Sequence, residues 1–209
     1  MNKEIIRIPL GRMNLEGELV VPEASQRLVI FSHGSGSSRF SPRNNFVAGL
    51  LQRGGISTFL PDLLTEEEDR NEDNRFDIDL LTERLVLLTR HVAEDARLKN
   101  FRTGYFGAST GAASALKASV EPGVHISAIV SRGGRPDLVP EVFSQVACPT
   151  LLIVGARDEE VLALNRIVYE RLHCVKKLTV VAGATHLFEE AGCLEQAGHS
   201  ATEWFKQYL

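Results

Sequence analysis

Short apolar runs alternate with amphipathic stretches along most of the chain, which is typical of strands that alternate with helices. The apolar runs predict strands over residues 4–10, 15–22, 27–34, 56–62, 102–107, 126–134, 149–158 and 177–186. The amphipathic stretches predict helices near residues 42–52, 77–98, 110–120, 137–146 and 161–172, and from residue 194 onward. We therefore expect an α/β fold in which a mostly parallel sheet of about eight strands has helices on both faces.

The connections between these elements refine the expected fold. The first two strands are separated by residues 11–14 only, and we expect them to form an antiparallel hairpin at one edge of the sheet. The longest connection, residues 61–76, contains an acidic run that predicts a solvated loop near the rim of the site. No connection is long enough to fold as a separate lid. The sequence thus predicts one domain over residues 1–209, with a site that is open or covered by loops.

Composition and charge exclude several classes of function. The chain has 209 residues with a formal net charge of -4, so it lacks the basic field that gathers nucleic acid. No apolar run has the length of a signal-peptide core or of a membrane span. Cys148, Cys174 and Cys193 are scattered, which indicates reduced thiols rather than a disulfide framework or a metal site. We expect a cytoplasmic protein that has no nucleic-acid or membrane partner and binds no metal.

The stretch GYFGASTGAA places a serine where a predicted strand ends and a helix begins. A sharp turn at this point presents a serine hydroxyl above the carboxyl edge of the sheet. Gly107 and Gly111 remove the Cβ atoms that would clash as the strand and the helix meet. Small residues also allow a helix to pack closely on a sheet, so the glycines alone do not establish chemistry. The pattern nevertheless favours Ser109 as a nucleophile.

An acid and a histidine follow Ser109 at the ends of later strands. Asp158 ends the seventh predicted strand and His186 ends the eighth. The order serine, acid, histidine is that of the α/β-hydrolase arrangement, in which the histidine takes the serine proton and the acid orients the imidazole. Asp158 has a competing use as the N-cap of the next helix. Glu159 and Glu160 are alternative acids.

Two backbone N–H groups are predicted to stabilise the oxyanion of a tetrahedral intermediate. Thr110 lies at the start of the helix after the nucleophile, where its N–H is free and the helix dipole is positive. The second donor is expected from the loop HGSGSS, with Ser35 as the first choice and Gly36 as the reserve. His33 begins this loop and is a candidate substrate-binding residue.

Two arginines after the sixth strand are further candidates for substrate binding. Arg132 and Arg135 flank a pair of glycines, and a guanidinium group binds a carboxylate or a phosphate with two parallel hydrogen bonds. A structural ion pair with the acidic loop is an equally ordinary use of these side chains. The glycine loop before Arg39 lacks the G-K-[ST] sequence of a nucleotide phosphate loop, and we predict no cofactor.

Several segments together resemble the dienelactone hydrolase-like family of α/β hydrolases over nearly the full chain. SHGSGSS resembles the oxyanion loop of that family, GYFGASTGAAS its nucleophile elbow, VSRGGRPDL the segment after the sixth strand, LLIVGARDEEV its acid loop and AGATHLFEE its histidine loop. Dienelactone hydrolases proper use a cysteine nucleophile, whereas position 109 is serine. The resemblance therefore implies a general esterase, thioesterase or related carbonyl hydrolase more readily than lactone cleavage of that kind.

These observations predict a serine hydrolase that cleaves an ester, thioester or lactone bond of a small-molecule substrate. The acyl-enzyme would form on Ser109, with Asp158 and His186 completing the triad. Acyl transfer, perhydrolysis and carbon-carbon cleavage use the same residues and stay open. The alternative from another class is a non-catalytic protein on the same fold that binds a small molecule or a partner. We expect a monomer or a homodimer.

Overall fold

The computed structural model describes residues 2–209, and the strands in this part of the chain form one sheet in the order β1-β2-β4-β3-β5-β6-β7-β8. The strands are β1 (Asn2–Leu10), β2 (Met13–Val21), β3 (Arg27–Ser32), β4 (Ser57–Pro61), β5 (Arg102–Ala108), β6 (Ala128–Arg132), β7 (Thr150–Gly155) and β8 (Lys176–Val181). The α-helices are α1 (Pro42–Arg53), α2 (Glu66–Asp69), α3 (Ile78–Glu94), α4 (Thr110–Ala118), α5 (Glu159–Arg171) and α6 (Cys193–Tyr208).

The predicted fold class is confirmed. Strands β3 to β8 pair in parallel, whereas β1 pairs with β2, and β2 with β4, in antiparallel fashion. The predicted hairpin is therefore present at one edge. Because parallel strands share their direction, the loops that follow β3, β5, β6, β7 and β8 meet at one edge of the sheet, where ligands bind in open α/β folds.

Helices cover both faces of the sheet. Successive strand residues point to opposite faces, so Tyr105 packs with the cluster under α3 and α4 while Phe106 packs with the cluster under α1 and α6. Both side chains are almost completely buried. The central strands are apolar on both faces for this reason, and the core holds the site edge rigid from both sides. Within residues 2–209, no helix is long and apolar enough to cross a bilayer.

Two segments differ from the sequence prediction. The helix expected near residues 137–146 is replaced by two short 3₁₀ helices, Pro136–Leu138 and Pro140–Val142. Pro140 provides no N–H for a helical ladder and excludes the helical conformation from the residue before it, so Val139 has φ -130° and ψ 55°.

The acidic connection over residues 61–76 was expected to be a solvated loop, and it is more ordered than that. Thr65 and Glu68 form a reciprocal capping box at the start of α2, each accepting a backbone N–H of the other. Arg84 of α3 also donates to the Glu68 carboxylate at 2.8 Å. These local hydrogen bonds give the acidic run a helical turn, which the charge pattern alone does not reveal.

Candidate active site

Ser109 occupies a strained turn between β5 and α4. Its φ of 52° and ψ of -125° lie in a region that residues with a Cβ rarely adopt. A Cβ at Gly107 would lie 2.5 Å from Ala112 Cα, and one at Gly111 would lie 2.1 Å from the Ser32 carbonyl oxygen. Both glycines are therefore required by backbone packing. The turn lifts the Ser109 side chain out of the core, and it is half-buried.

Asp158 and His186 contact each other where the loops after β7 and β8 meet. The His186 Nδ1 lies 2.7 Å from Asp158 Oδ2. The Asp158 side chain makes no capping hydrogen bond to α5, and Glu159 and Glu160 are exposed. The two loops come this close because a Cβ at Gly155 would lie 2.4 Å from the Ala184 carbonyl oxygen. Asp158 can therefore fix the imidazole ring so that Nε2 is the nitrogen available for chemistry.

Ser109 and His186 line the same cavity, which has a volume of about 250 Å³. Among residues 2–209, no hydrogen bond joins the Ser109 and His186 side chains directly. Their proximity is shown by the cavity that both residues line. A Cβ at Gly34 would lie 2.9 Å from Ser109 Cβ, which shows how closely the loop after β3 covers the Ser109 turn. We call this space the serine cavity; its lining comprises Gly34, Ser35, Ser37, Ser41, Arg43, Asn44, Ala108, Ser109, Arg132, Gly133, His186 and Leu187.

The two predicted oxyanion segments are in contact. Thr110 is the first residue of α4, so its N–H has no acceptor one turn earlier in the helix. The Ser35 N–H donates to Thr110 Oγ1 at 3.0 Å, and the adjacent turn closes with a hydrogen bond from the Ser37 N–H to the Gly34 carbonyl oxygen. Gly36 has a φ of 64°, which suits glycine. The Gly36 N–H finds no acceptor in the described part of the chain.

His33 lies behind this loop, outside the lining of the serine cavity. Its Nε2 accepts the Leu63 N–H at 3.0 Å, and its Nδ1 donates to the Gly34 carbonyl oxygen at 3.1 Å. Both ring nitrogens are thus used by backbone groups. Burial lowers the pKa of His33, which keeps the ring neutral in this tautomer. The His33 side chain therefore joins the loops after β3 and β4, and it lines a second cavity on the other side of its own loop.

The structure separates the two candidate arginines. Arg132 is buried and lines the serine cavity, where its Nη2 donates to Asn44 Oδ1 at 3.4 Å. Arg135 turns away and forms a bidentate ion pair with Asp137, whose carboxylate lies 2.9 Å from both Nε and Nη2. Asn44 was missed at the sequence level. Its signal was a polar residue on the buried stripe of α1, on the same face as Val47.

Comparisons with known proteins agree with this fold. No protein-family model matches the chain. A dienelactone hydrolase from Anabaena variabilis superimposes with a TM-score of 0.95 at 45% identity, over 100% of this chain and 98% of that one. An esterase from Pyrococcus furiosus (TM-score 0.81, 18% identity, 99% and 91% covered) and an alpha-beta serine hydrolase homologue from Coxiella burnetii (TM-score 0.81, 18% identity, 97% of each chain) share the fold.

Two relatives from Mycobacterium tuberculosis carry a different name. Each is 48% identical over 209 residues, which is 100% of this chain and 47% of the relative, and each is described as a "putative phosphoribosyl transferase". The chain spans about half the length of these relatives, so their name refers to a longer protein. The Anabaena protein, by contrast, matches end to end. On that match this chain belongs to the dienelactone hydrolase family of α/β hydrolases.

Proposed function

We propose that this protein is a serine hydrolase that cleaves an ester, thioester or lactone bond of a small substrate. The observation that carries the proposal is the strained Ser109 in one cavity with His186, whose other ring nitrogen is held by Asp158. Strain at a non-glycine residue persists only where the surrounding structure enforces it, and it is concentrated at functional sites. Family membership supports the same reading.

In the first half of the reaction the Ser109 oxygen attacks the carbonyl carbon of the substrate. The Ser109 proton passes to His186 Nε2, and the imidazolium is stabilised by the Asp158 carboxylate. When the tetrahedral intermediate collapses, the bond from carbon to the leaving oxygen or sulfur breaks and His186 returns the proton to that atom. An acyl group then remains on Ser109.

In the second half, water replaces the leaving group. His186 takes a proton from the attacking water, the bond between Ser109 oxygen and the acyl carbon breaks, and the proton returns to Ser109. The negative charge on the carbonyl oxygen would be stabilised by the Thr110 N–H and by a donor from the loop after β3. To act as this donor, the Ser35 N–H would have to share or break its hydrogen bond to the Thr110 hydroxyl oxygen. The Gly36 N–H makes no hydrogen bond in the described part of the chain, so it could donate to the substrate without breaking one.

The name of the mycobacterial relatives does not change this proposal. Those proteins are about twice as long as this chain, and 47% of each aligns here. This chain, which aligns with that share of each relative, has the elbow and the cavity described above. We therefore assign the acyl chemistry to this chain and leave the transferase name with the longer proteins.

Hydrolysis of p-nitrophenyl acetate by the purified protein tests the proposal. The wild type should release p-nitrophenol, and Ser109→Ala should lower the rate by at least ~10³-fold because triad members act as a unit. Ser119→Ala is the matched control: this serine lies at the other end of α4, where its hydroxyl bonds to the Leu116 carbonyl oxygen, and its removal should leave the rate unchanged.

Two results would contradict the proposal. Near-normal turnover by Ser109→Ala would show that another group is the nucleophile. A wild type that hydrolyses no member of a panel of short esters, thioesters and lactones would instead favour the binding protein on this fold.

A further inference from the structure

Arg132 lies beside the nucleophile turn. It ends β6 opposite Ala108 of β5, and its carbonyl oxygen accepts the Ser109 N–H at 3.4 Å. The side chain is 7% exposed, yet it contributes to the lining of the serine cavity. A guanidinium group thus lies against the space that the substrate carbonyl must enter.

This guanidinium has no carboxylate partner among the described residues, although its central carbon lies over the Phe188 ring, 5.8 Å from the ring centroid. Its Nε and Nη1 are buried and make no hydrogen bond, and Nη2 has one long bond to Asn44. None of the ion pairs among residues 2–209 involves Arg132. A buried guanidinium without a carboxylate is expensive, and proteins normally pair such a charge. Burial, with a smaller contribution from the charge of Arg43, lowers the pKa of Arg132 to about 10, so the group is still cationic at neutral pH.

The rest of the cavity lining adds to the positive charge. No carboxylate is among the lining residues of the serine cavity, and the second charged side chain there is Arg43. Arg43 pairs with Glu189 at 3.1 Å, but the Glu189 side chain is 65% exposed, and an exposed pair of this kind is weak. The electrostatic complement that the cavity lacks is therefore an anion.

We infer that Arg132 binds an anionic group, a carboxylate or a phosphate, on the same small molecule whose ester-like bond is cleaved. This inference rests on the proposed function and names its substrate class. The guanidinium offers several donors in one plane, which suits both anions. A cavity of about 250 Å³ accommodates a short acyl chain with a terminal charge. Arg132 is then a specificity-determining residue that separates charged from neutral esters.

A matched pair of substrates tests the inference. The mono-p-nitrophenyl ester of glutaric acid and p-nitrophenyl valerate have the same leaving group and similar acyl length, but only the first carries a carboxylate. We expect the wild type to show a kcat/KM ratio that favours the charged ester by about 10-fold or more, as one charge-assisted contact allows. Arg132→Gln should remove that preference, and Arg132→Lys should retain part of it. Arg135→Gln, with the same charge change outside the cavity, should keep it.

An equilibrium measurement separates this inference from the proposed function. Calorimetric titration of the inactive Ser109→Ala protein with glutarate and with inorganic phosphate measures anion binding without turnover. Binding of either anion that is lost in Ser109→Ala/Arg132→Gln supports the inference, and the anion that binds more tightly identifies the group. This result stands even if no ester is hydrolysed, in which case the proposed function alone fails.

The opposite outcomes overturn the inference. A wild type that hydrolyses both esters equally, and whose Ser109→Ala variant binds neither anion, would leave the hydrolase intact and remove the anion site. If Arg135→Gln loses the preference for the charged ester as fully as Arg132→Gln does, the preference comes from the electrostatic field of the whole protein and not from a contact with Arg132. The ester ratio of the wild type and the titration of Ser109→Ala need no substitution at position 132, so they can overturn the inference even if Arg132→Gln does not fold, and Arg132→Lys then tests the residue itself.

Discussion

Two cavities flank the loop of residues 33–38, and each contains an arginine. On one side lies the serine cavity with Arg132. On the other lies a cavity of about 500 Å³, here called the acidic cavity, which is lined in part by Glu16, Asp62, Glu66 and Asp69. Its arginine, Arg39, donates to both Asp62 and Glu16. The two guanidinium groups are both largely buried, but one has two carboxylates and the other has none.

The comparison distinguishes an arginine whose charge is paired within the structure from an arginine whose charge has no carboxylate partner. Arg39 has carboxylate partners for both Nη atoms, although its buried Nε makes no hydrogen bond, and it ties the loop after β3 to β2 and to the end of β4. Arg132 is left unsatisfied beside a serine whose backbone is also strained. The serine cavity therefore has unfavourable features of both kinds. Natural proteins tolerate them where function requires them and compensate elsewhere.

The largest expected effect separates the two cavities by activity. His186→Ala and Asp158→Asn should lower kcat for p-nitrophenyl acetate by about 10³- to 10⁴-fold, because the first removes the base and the second removes the group that orients it. Glu66→Gln in the acidic cavity is the control and should leave kcat unchanged, since Glu66 is exposed and far from the proton transfer. Steady-state kinetics on the three variants measure this. An equal loss of kcat in Glu66→Gln would indicate that the reaction takes place in the acidic cavity and not in the serine cavity.

The next effect separates the two arginines by stability. Arg39→Met should lower the free energy of unfolding by about 1–3 kcal/mol, because it leaves the largely buried Asp62 carboxylate without its guanidinium partner. Arg132→Met should leave the free energy unchanged or raise it by up to about 2 kcal/mol, because it removes a buried charge that has no carboxylate partner among the described residues. Urea unfolding of both variants gives the comparison. Equal destabilisation would mean that Arg132 has a structural partner after all.

The smallest effect concerns His33, which lines the acidic cavity behind the loop that separates it from the serine cavity. Burial lowers the pKa of His33 from its ordinary value of 6.5, so the folded ring stays neutral while the unfolded chain takes up a proton as the pH falls below that value. Stability is therefore full above pH 6.5 and decreases toward pH 5, by up to about 1.4 kcal/mol per pH unit for one group.

Unfolding measurements between pH 7 and pH 5 test this, with His33→Asn as the variant. The slope of stability against pH should be shallower in His33→Asn by that amount. Asp95, whose pKa is lowered by its hydrogen bond to Arg97, acts only below its ordinary value of 3.8 and does not interfere. An unchanged slope would show that His33 is not the buried neutral histidine of this fold.

Much of the fold was predictable from local patterns. The alternation of apolar runs with amphipathic stretches identified all eight strands of the sheet. The signal is strongest for the central parallel strands, which are apolar throughout because both of their faces are buried. The failures were local. The helix predicted over residues 137–146 was wrong because Pro140 interrupts it. The charge pattern of the acidic run over residues 61–76 predicted a loop and gave no sign of the capping box of Thr65 and Glu68.

The site was predictable in part. Asp158 and His186 could be paired from the order of the strands, since both follow neighbouring parallel strands. The sequence could not predict that Arg132 contacts Asn44 whereas Arg135 pairs with Asp137. The outcome depends on the direction of each side chain after β6 and on whether a carboxylate lies within hydrogen-bond distance. Asn44 comes from α1, far away in the sequence, and only the folded chain brings it to Arg132.

The account depends most on Ser109 as an activated nucleophile. A fluorophosphonate probe forms a covalent bond to the oxygen of such a serine with loss of fluoride, and peptide mass spectrometry locates the adduct. We predict one adduct per folded chain, on Ser109, and none in His186→Ala. Absence of labelling in the folded wild type, or an adduct on another residue, would contradict the account.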